Sequence, residues 1–341
     1  MNVAPIDQIR AAKAHSRGED EQMPPVEKDE DCRVYTVREL LEEAVVRSQM
    51  ADNDSRGTTG HHQIDALTGG LRPGHGWLVA AESSWGKSSF LISVADENLK
   101  RGKKVLIVSF EDPRYLYANR LLCRRARIDA MHLRDRKLTS DEKDAVASVV
   151  RNAEPVPFYV EAMGKPIEEL VVQVRKLVKD EGIYLVAWDY LQEAKTRRRY
   201  QDERVRFRET AAMMRNVGRI TDCCTMILSQ VTEQTGKKYP DKNSVRECRD
   251  ASNAAEHILI GFTPEENIVK DDKIVVVGGT KCMKIDKSKD GETGVVALDW
   301  CKTSACFKPV MPAKPTDEPP PGYVQSHEDD FEDEREGWWQ Q

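Results

Sequence analysis

Short apolar runs separated by longer stretches of helical period fill the middle of the chain. Trp77-Leu78-Val79-Ala80, Val105-Leu106-Ile107-Val108, Tyr184-Leu185-Val186-Ala187 and Thr225-Met226-Ile227-Leu228 read as buried strands, with a helical stretch between each and the next. Such alternation predicts βαβ units around a mainly parallel central sheet flanked by helices. Three later runs, Ile258-Leu259-Ile260, Ile274-Val275-Val276-Val277 and Val295-Val296-Ala297-Leu298, are separated by turns rather than helices. They predict an antiparallel C-terminal extension at one sheet edge. Upstream, Thr36-Val37-Arg38-Glu39 fits a capping box, and Val37, Leu40, Leu41, Ala44 and Val45 recur with the spacing of an amphipathic helix to about Gln49. The expected division is a disordered tail over 1–35, a linker helix and loop over 36–57, an α/β domain over 58–310 and a disordered acidic tail over 311–341. No internal repeat interrupts that scheme.

Composition narrows the class. Of 341 residues, 39% are hydrophobic, enough for a core, while 32% are charged and the mean hydropathy is −0.61. No apolar stretch approaches the roughly 18 residues of a spanning helix, and the first residues lack the apolar centre of a signal peptide, so a cytoplasmic location is expected. Eight scattered cysteines with no CxxC pair and no histidine at zinc spacing point to reduced thiols and against a structural zinc. A net charge of −6 argues, at face value, against nucleic acid as partner.

The strongest chemical signal is Ala81-Glu82-Ser83-Ser84-Trp85-Gly86-Lys87-Ser88, between a predicted strand and a predicted helix. Its last three residues fit the phosphate-loop pattern GxxxxGK[ST], with Ala81 at the first glycine position. Backbone N–H groups from Ala81 to Ser89 would cradle the phosphates of ATP, with Lys87 neutralising charge and the Ser88 hydroxyl ligating Mg²⁺. A second buried strand ends in Asp189, where a carboxylate can order the same metal; the bland reading is a turn-starting Asp. Glu111, closing the strand from Val105, is the candidate base that orients water. Its neighbour Asp112 competes, since Asp112-Pro113 is equally a helix start. Gln230, after the strand from Thr225, could sense the γ-phosphate.

Between Lys195 and Arg219 nine basic residues, among them Arg197, Arg198 and Arg199, face three acidic ones. A polyanion grip beside the ATP site and a solvated basic helix paired with acidic neighbours both fit. Lys287-Ser288-Lys289-Asp290-Gly291 reads as a turn whose cations could reach the nucleotide of an adjacent subunit, or as a polar hairpin turn.

Together these residues resemble the C-terminal RecA-like ATPase domain of DnaB-type replicative helicases, collinearly from about Thr59 to Phe307. The resemblance runs through Ile64-Asp65-Ala66-Leu67-Thr68-Gly69-Gly70-Leu71-Arg72-Pro73-Gly74, the Ala-initiated phosphate loop, Leu121-Leu122-Cys123 with Arg127-Ile128-Asp129-Ala130, Trp188-Asp189-Tyr190-Leu191-Gln192, Leu228-Ser229-Gln230 and Val245-Arg246-Glu247. It implies a P-loop NTPase in which Glu111 is the catalytic base, Asp189 the metal ligand and Gln230 the sensor. Arg246 and Glu247 would line a channel for single-stranded DNA, and Lys287 and Lys289 would act on the neighbouring subunit's ATP. A homo-hexamer moving 5′ to 3′ in DNA replication is implied, with primase, a loader or another replisome protein as candidate contacts of the tails. Two departures stand out: Lys289 replaces the family's Arg, which loses the planar fork, and the family's N-terminal domain has no expected counterpart before Thr58. The rivals are a RecA-class recombinase or mediator and a RecA-like regulatory ATPase that does not translocate.

The charge balance then divides. Residues 311–341 carry −7 and residues 1–36 carry −3, leaving +4 for 37–310, so a basic motor between acidic tails is compatible with DNA. The acidic end before Trp338-Trp339 reads either as a partner-binding or DNA-mimicking tail or as a solubilising one.

Overall fold

A computed structural model describes residues 36–38, 41, 56–231, 255–270, 273–289, 291–309 and 324–325; for 269–270, 273–275 and 324–325 only the backbone is described. The chain divides into units 1–51 and 52–341. In the first, Val37, Arg38 and Leu41 are helical, and the rest of the expected Thr36–Gln49 helix lies outside the described residues.

The second unit is built on a nine-stranded sheet. In chain order its strands are β1 (Gly76–Ala81), β2 (Val105–Ser109), β3 (Tyr159–Glu161), β4 (Leu185–Asp189), β5 (Cys224–Gln230), β6 (His257–Phe262), β9 (Cys282–Ser288), β10 (Gly294–Ala297) and β13 (Val324–Gln325). Two small hairpins complete the numbering: β7 (Ile268–Lys270) with β8 (Lys273–Val276), and β11 (Trp300–Cys301) with β12 (Cys306–Phe307). Across the sheet the order is β13-β10-β9-β6-β1-β5-β4-β2-β3. The six strands from β6 to β3 run parallel, and β9, β10 and β13 join antiparallel.

The continuous apolar runs follow from burial on both sheet faces. Alternate residues of one strand feed opposite cores. Leu78, Val108, Trp188 and Ile227 meet the helices Ile167–Glu181 and Glu203–Thr221 on one side. Trp77, Val79, Ile107, Ala187 and Met226 meet the helices His62–Thr68 and Lys87–Leu99 on the other. The helix Ile167–Glu181 shows the sequence logic: Pro166 precedes it, Gly182 closes it at φ 64, and Ile167, Leu170, Val171, Val174 and Val178 form its buried stripe.

Three expectations are corrected. Ile258–Ile260 belongs to β6 and pairs parallel with β1, so the antiparallel extension starts one strand later, at β9. The run from Ile274 enters β8, which among the described residues pairs with β7 alone and lies outside the main sheet. Lys287 and Ser288 are strand residues at the end of β9 rather than turn residues, and of the two lysines Lys289 lies beyond it. The expected C-terminal tail lies outside the described residues apart from Val324–Gln325 beside β10. No helix among the described residues is long and apolar enough to cross a membrane.

Candidate active site

Register brings the candidate residues to one edge. Ala81 pairs with Gln230, Trp188 with Ile227, and Ser109 with Asp189, so β1, β5, β4 and β2 finish side by side. Ligands of such sheets bind outside the carboxyl ends of the strands. The phosphate loop leaves β1 there and turns into the helix Lys87–Leu99. Ala81 is still an extended strand residue; the left-handed positions of the loop are Ser84 at φ 63 and Gly86 at φ 112. A methyl group is therefore tolerated at Ala81, whereas Gly86 needs the freedom of glycine.

Aromatic and cationic side chains hold the loop from below. Trp85 turns its ring into the core and donates Nε1–H to the Phe262 carbonyl at 3.0 Å. Its ring centroid lies 5.1 Å from that of Phe307, and Lys281 donates to the Trp85 carbonyl while sitting 5.0 Å from the Trp300 ring centroid. Trp85 thus shapes the loop through its anchored ring.

Lys87 donates to the carbonyls of Ala81 and Glu82 at 3.0 and 3.1 Å. Burial lowers its ammonium below the usual lysine range, while the charges of Asp189 and Glu111 push the other way. Asp189 is 3% exposed, and its carboxylate accepts from the Tyr117 hydroxyl at 2.7 Å and from the Ser88 hydroxyl. Burial pushes that carboxyl up, and these two donors oppose the rise. A hydroxyl and a buried carboxylate meeting at a phosphate loop form the hard-oxygen pair that suits Mg²⁺, an ion that takes one or two protein ligands and completes its shell with water and phosphate. Among the described residues no group of three or more His, Cys, Asp or Glu gathers as a ligand set.

Glu111 stands beside this pair because the Phe110 N–H donates to the Asp189 carbonyl at 2.8 Å. Partial burial raises its carboxyl first, followed by the charges of Asp112, Asp189 and Glu193, against Lys87. A carboxylate so placed is tuned toward accepting a proton. Asp112 is engaged differently, because its carboxylate binds Arg120 at 2.8 Å and so fixes the start of the helix Arg114–Ala126. Gln230 is held by Gln192, whose amide nitrogen donates to the Ser229 hydroxyl at 3.0 Å and the Gln230 carbonyl at 3.1 Å, and whose oxygen accepts the Gln230 N–H at 3.2 Å.

Other candidates lie elsewhere. Lys287 pairs with Ile258, and the Lys289 N–H donates to Glu256, whose own N–H reaches Gly76. Lys289 is therefore level with the start of β1, about 16 Å along the strand direction from the phosphate loop. Arg197 pairs with Glu169, Arg198 with Glu209 and Arg206 with Glu203 at the surface, and Arg215 with the buried Glu256, so part of the basic stretch is neutralised by the chain's own carboxylates. Arg199, Arg204 and Arg208 are exposed with no ion pair among the described residues. Arg246 and Glu247 lie outside the described residues.

Three contributors were not legible as site residues. Tyr117 looks like any residue of a charged helix until its hydroxyl meets Asp189 and Ser109. Gln192 had only its place after Asp189 to mark it. Arg206 donates to the Ala194 and Gln192 carbonyls at 2.7 and 3.3 Å, tying the basic helix to the segment that carries Gln192.

Known proteins resemble much of the chain. Replicative DNA helicase DnaC of Bacillus subtilis is 24% identical over 258 residues, 72% of this chain and 54% of that protein. Replicative DNA helicase DnaB of Geobacillus stearothermophilus is 24% identical over 251 residues, again 72% and 54%. The chain thus spans about half the length of these curated relatives. Among solved structures, one isolated ATPase domain superposes with a TM-score of 0.71 at 19% identity, covering 82% of this chain and 100% of that one. A DnaB-like replicative helicase, solved in a study of its interactions with primase, gives 0.71 at 20% identity, covering 81% and 69%. The family model described as the DnaB-like helicase C terminal domain matches residues 57–309, and the chain belongs to that family.

Proposed function

We propose that this chain is the ATP-hydrolysing motor of a DnaB-like ring helicase, moving on single-stranded DNA during replication. The observation that carries the reading is the convergence of Lys87, Ser88, Glu111, Asp189 and Gln230 at the ends of four neighbouring strands. Lys87 and the loop N–H groups bind and orient the β- and γ-phosphates of ATP. Ser88 and Asp189 are the residues that would hold Mg²⁺, which when bound neutralises phosphate charge. Glu111 accepts a proton from the attacking water, and Gln230, clamped by Gln192, reports the state of the γ-phosphate.

The remoteness of Lys287 and Lys289 from their own phosphate loop supports a role on a neighbouring subunit's nucleotide, and with it a homo-hexamer. Arg246, Glu247 and the exposed arginines Arg199, Arg204 and Arg208 are the proposed contacts to the DNA backbone. Primase and loader contacts extend the same reading, by likeness to relatives of which this chain covers about half. A forked-DNA assay tests it: ATP turnover stimulated by single-stranded DNA, strand separation from a 5′ tail, and loss of both in Lys87→Ala and Glu111→Gln are expected. DNA-stimulated turnover without unwinding would favour a recombinase, and turnover indifferent to DNA a regulatory ATPase.

A further inference from the structure

The hairpin that closes the domain carries two thiols in register. Cys301 on β11 lies directly opposite Cys306 on β12. Directly opposed residues of antiparallel strands have Cα atoms about 4.5–5.5 Å apart and point to the same face. That separation falls within the range of about 4.4–6.8 Å that a disulfide spans. Ser304, in the turn between them, links the pair: its hydroxyl bonds Cys301 Sγ and lies 3.2 Å from Cys306 Sγ.

Their surroundings favour an anion. A cleft of about 660 Å³ is lined by both cysteines together with Lys100, Arg124 and Arg125, which also bind Asp96, Glu97 or Glu154, Lys308, which lies 3.5 Å from Asp299, and the exposed Arg127, which has no ion pair among the described residues. Such a volume suits a small ligand. Cys301 is partly exposed and Cys306 is buried, so an incoming reagent meets Cys301 first. The Ser304 hydroxyl, backbone N–H groups of the turn and the Lys308 charge hold the Cys301 thiol below its usual range. By contrast, burial pushes Cys123 and Cys223 up to about 11 and Cys282 up to about 12. Only the thiolate attacks, so Cys301 is the reactive member of this set.

We propose that Cys301 is a modification site for small anionic disulfides of the glutathione class, with Cys306 as its resolving partner across the hairpin. The Cys301 thiolate attacks one sulfur of the reagent; its S–S bond breaks, a mixed disulfide forms on Cys301, and one small thiolate leaves. Cys306 then loses its proton and attacks Cys301 Sγ, forming the Cys301–Cys306 bond and expelling the second small thiolate. Two protein thiols are oxidised by two electrons, the reagent is reduced to two thiols, and the two released protons protonate them. The neighbouring rung of the hairpin, Trp300 opposite Phe307, lies under Gly86, so the modification sits one rung from the phosphate loop.

The experiment treats the reduced full chain with oxidised glutathione and follows each cysteine by peptide mapping without reductant. Cys301 is expected to be thiolated at least about tenfold faster than Cys123, Cys223 or Cys282. The adduct should give way to a Cys301–Cys306 disulfide, and Cys306→Ser or Cys306→Ala should trap it. Lys308→Glu should slow the reaction with both reagents, because that charge also lowers the Cys301 thiol, but several-fold more with glutathione disulfide than with neutral hydroxyethyl disulfide. Uniform labelling of all thiols, an adduct on Cys301 that never resolves in the unaltered chain, or equal sensitivity of both reagents to Lys308→Glu would each overturn the proposal.

Discussion

Adding one methyl group to β6 should disturb the nucleotide site without touching any of its chemical groups. Gly261 pairs with Ala81 in extended backbone, so alanine is conformationally acceptable there. The added Cβ would lie 2.7 Å from Trp85 Cε2 and 2.8 Å from Cδ2 and Cζ2. Carbon atoms ordinarily approach to about 3.5–4.0 Å, so the indole must retreat by about 1 Å. Its N–H is bonded to Phe262, its carbonyl to Lys281, and its face packs on Phe307, so the ring cannot turn without moving the phosphate loop. Overpacking of this kind costs about 1–3 kcal/mol. In a domain of this size that lowers Tm by about 2–12 °C. Expressed at the loop, it weakens nucleotide binding by about 5–150-fold. Thermal melting and titration with a fluorescent ATP analogue measure the two effects for Gly261→Ala. The same pair is then measured in a Trp85→Phe background, where the smaller ring leaves room and the added penalty should largely vanish. Unchanged affinity in Gly261→Ala, or an equal loss in both backgrounds, would refute the idea that the Trp85 ring transmits the strain.

His61 is buried between Phe90 and Phe307, and burial lowers its pKa to about 4. The folded chain therefore binds fewer protons than the unfolded one between the ordinary value of 6.5 and about 4. Its share of stability is intact above pH 6.5 and falls by about 3 kcal/mol as pH drops through that window, which His61→Phe should abolish in urea titrations at about pH 7 and 4.5. Tyr117→Phe removes the hydroxyl that orders Asp189, and the Mg²⁺ concentration for half-maximal ATP turnover should rise about tenfold while the fold persists. Asp96 is fully buried and binds Arg124 at 2.9 Å, Arg125 at 2.7 Å and Lys100 at 2.8 Å. Asp96→Asn leaves those cations only Glu97 and Glu154 as carboxylate partners and should cost about 1.5–3 kcal/mol in denaturant unfolding, whereas a loss under about 1 kcal/mol would show the network to be dispensable.

Local pattern was enough to read four of the six parallel strands, though not β3 or the direction of β6, together with the phosphate loop and the order in which Lys87, Glu111, Asp189 and Gln230 occur. A strand buried on both faces is apolar throughout, and a phosphate-binding turn needs its glycine, lysine and hydroxyl in consecutive positions. Direction and partnership of strands are not local. β6 reads like an edge strand, yet its register with β1 makes it parallel and sets Gly261 under Trp85. β9 mixes Lys284 and Asp286 with Met283 and Ile285, so its strand character emerged from pairing with β6. Packing in three dimensions was needed to bring Tyr117 to Asp189, to clamp Gln230 with Gln192 and to pair Arg197 with Glu169 and Arg215 with Glu256. These contacts join residues tens of positions apart. Their geometry is fixed by how the helices settle on the sheet, and composition or spacing along the chain carries no record of it.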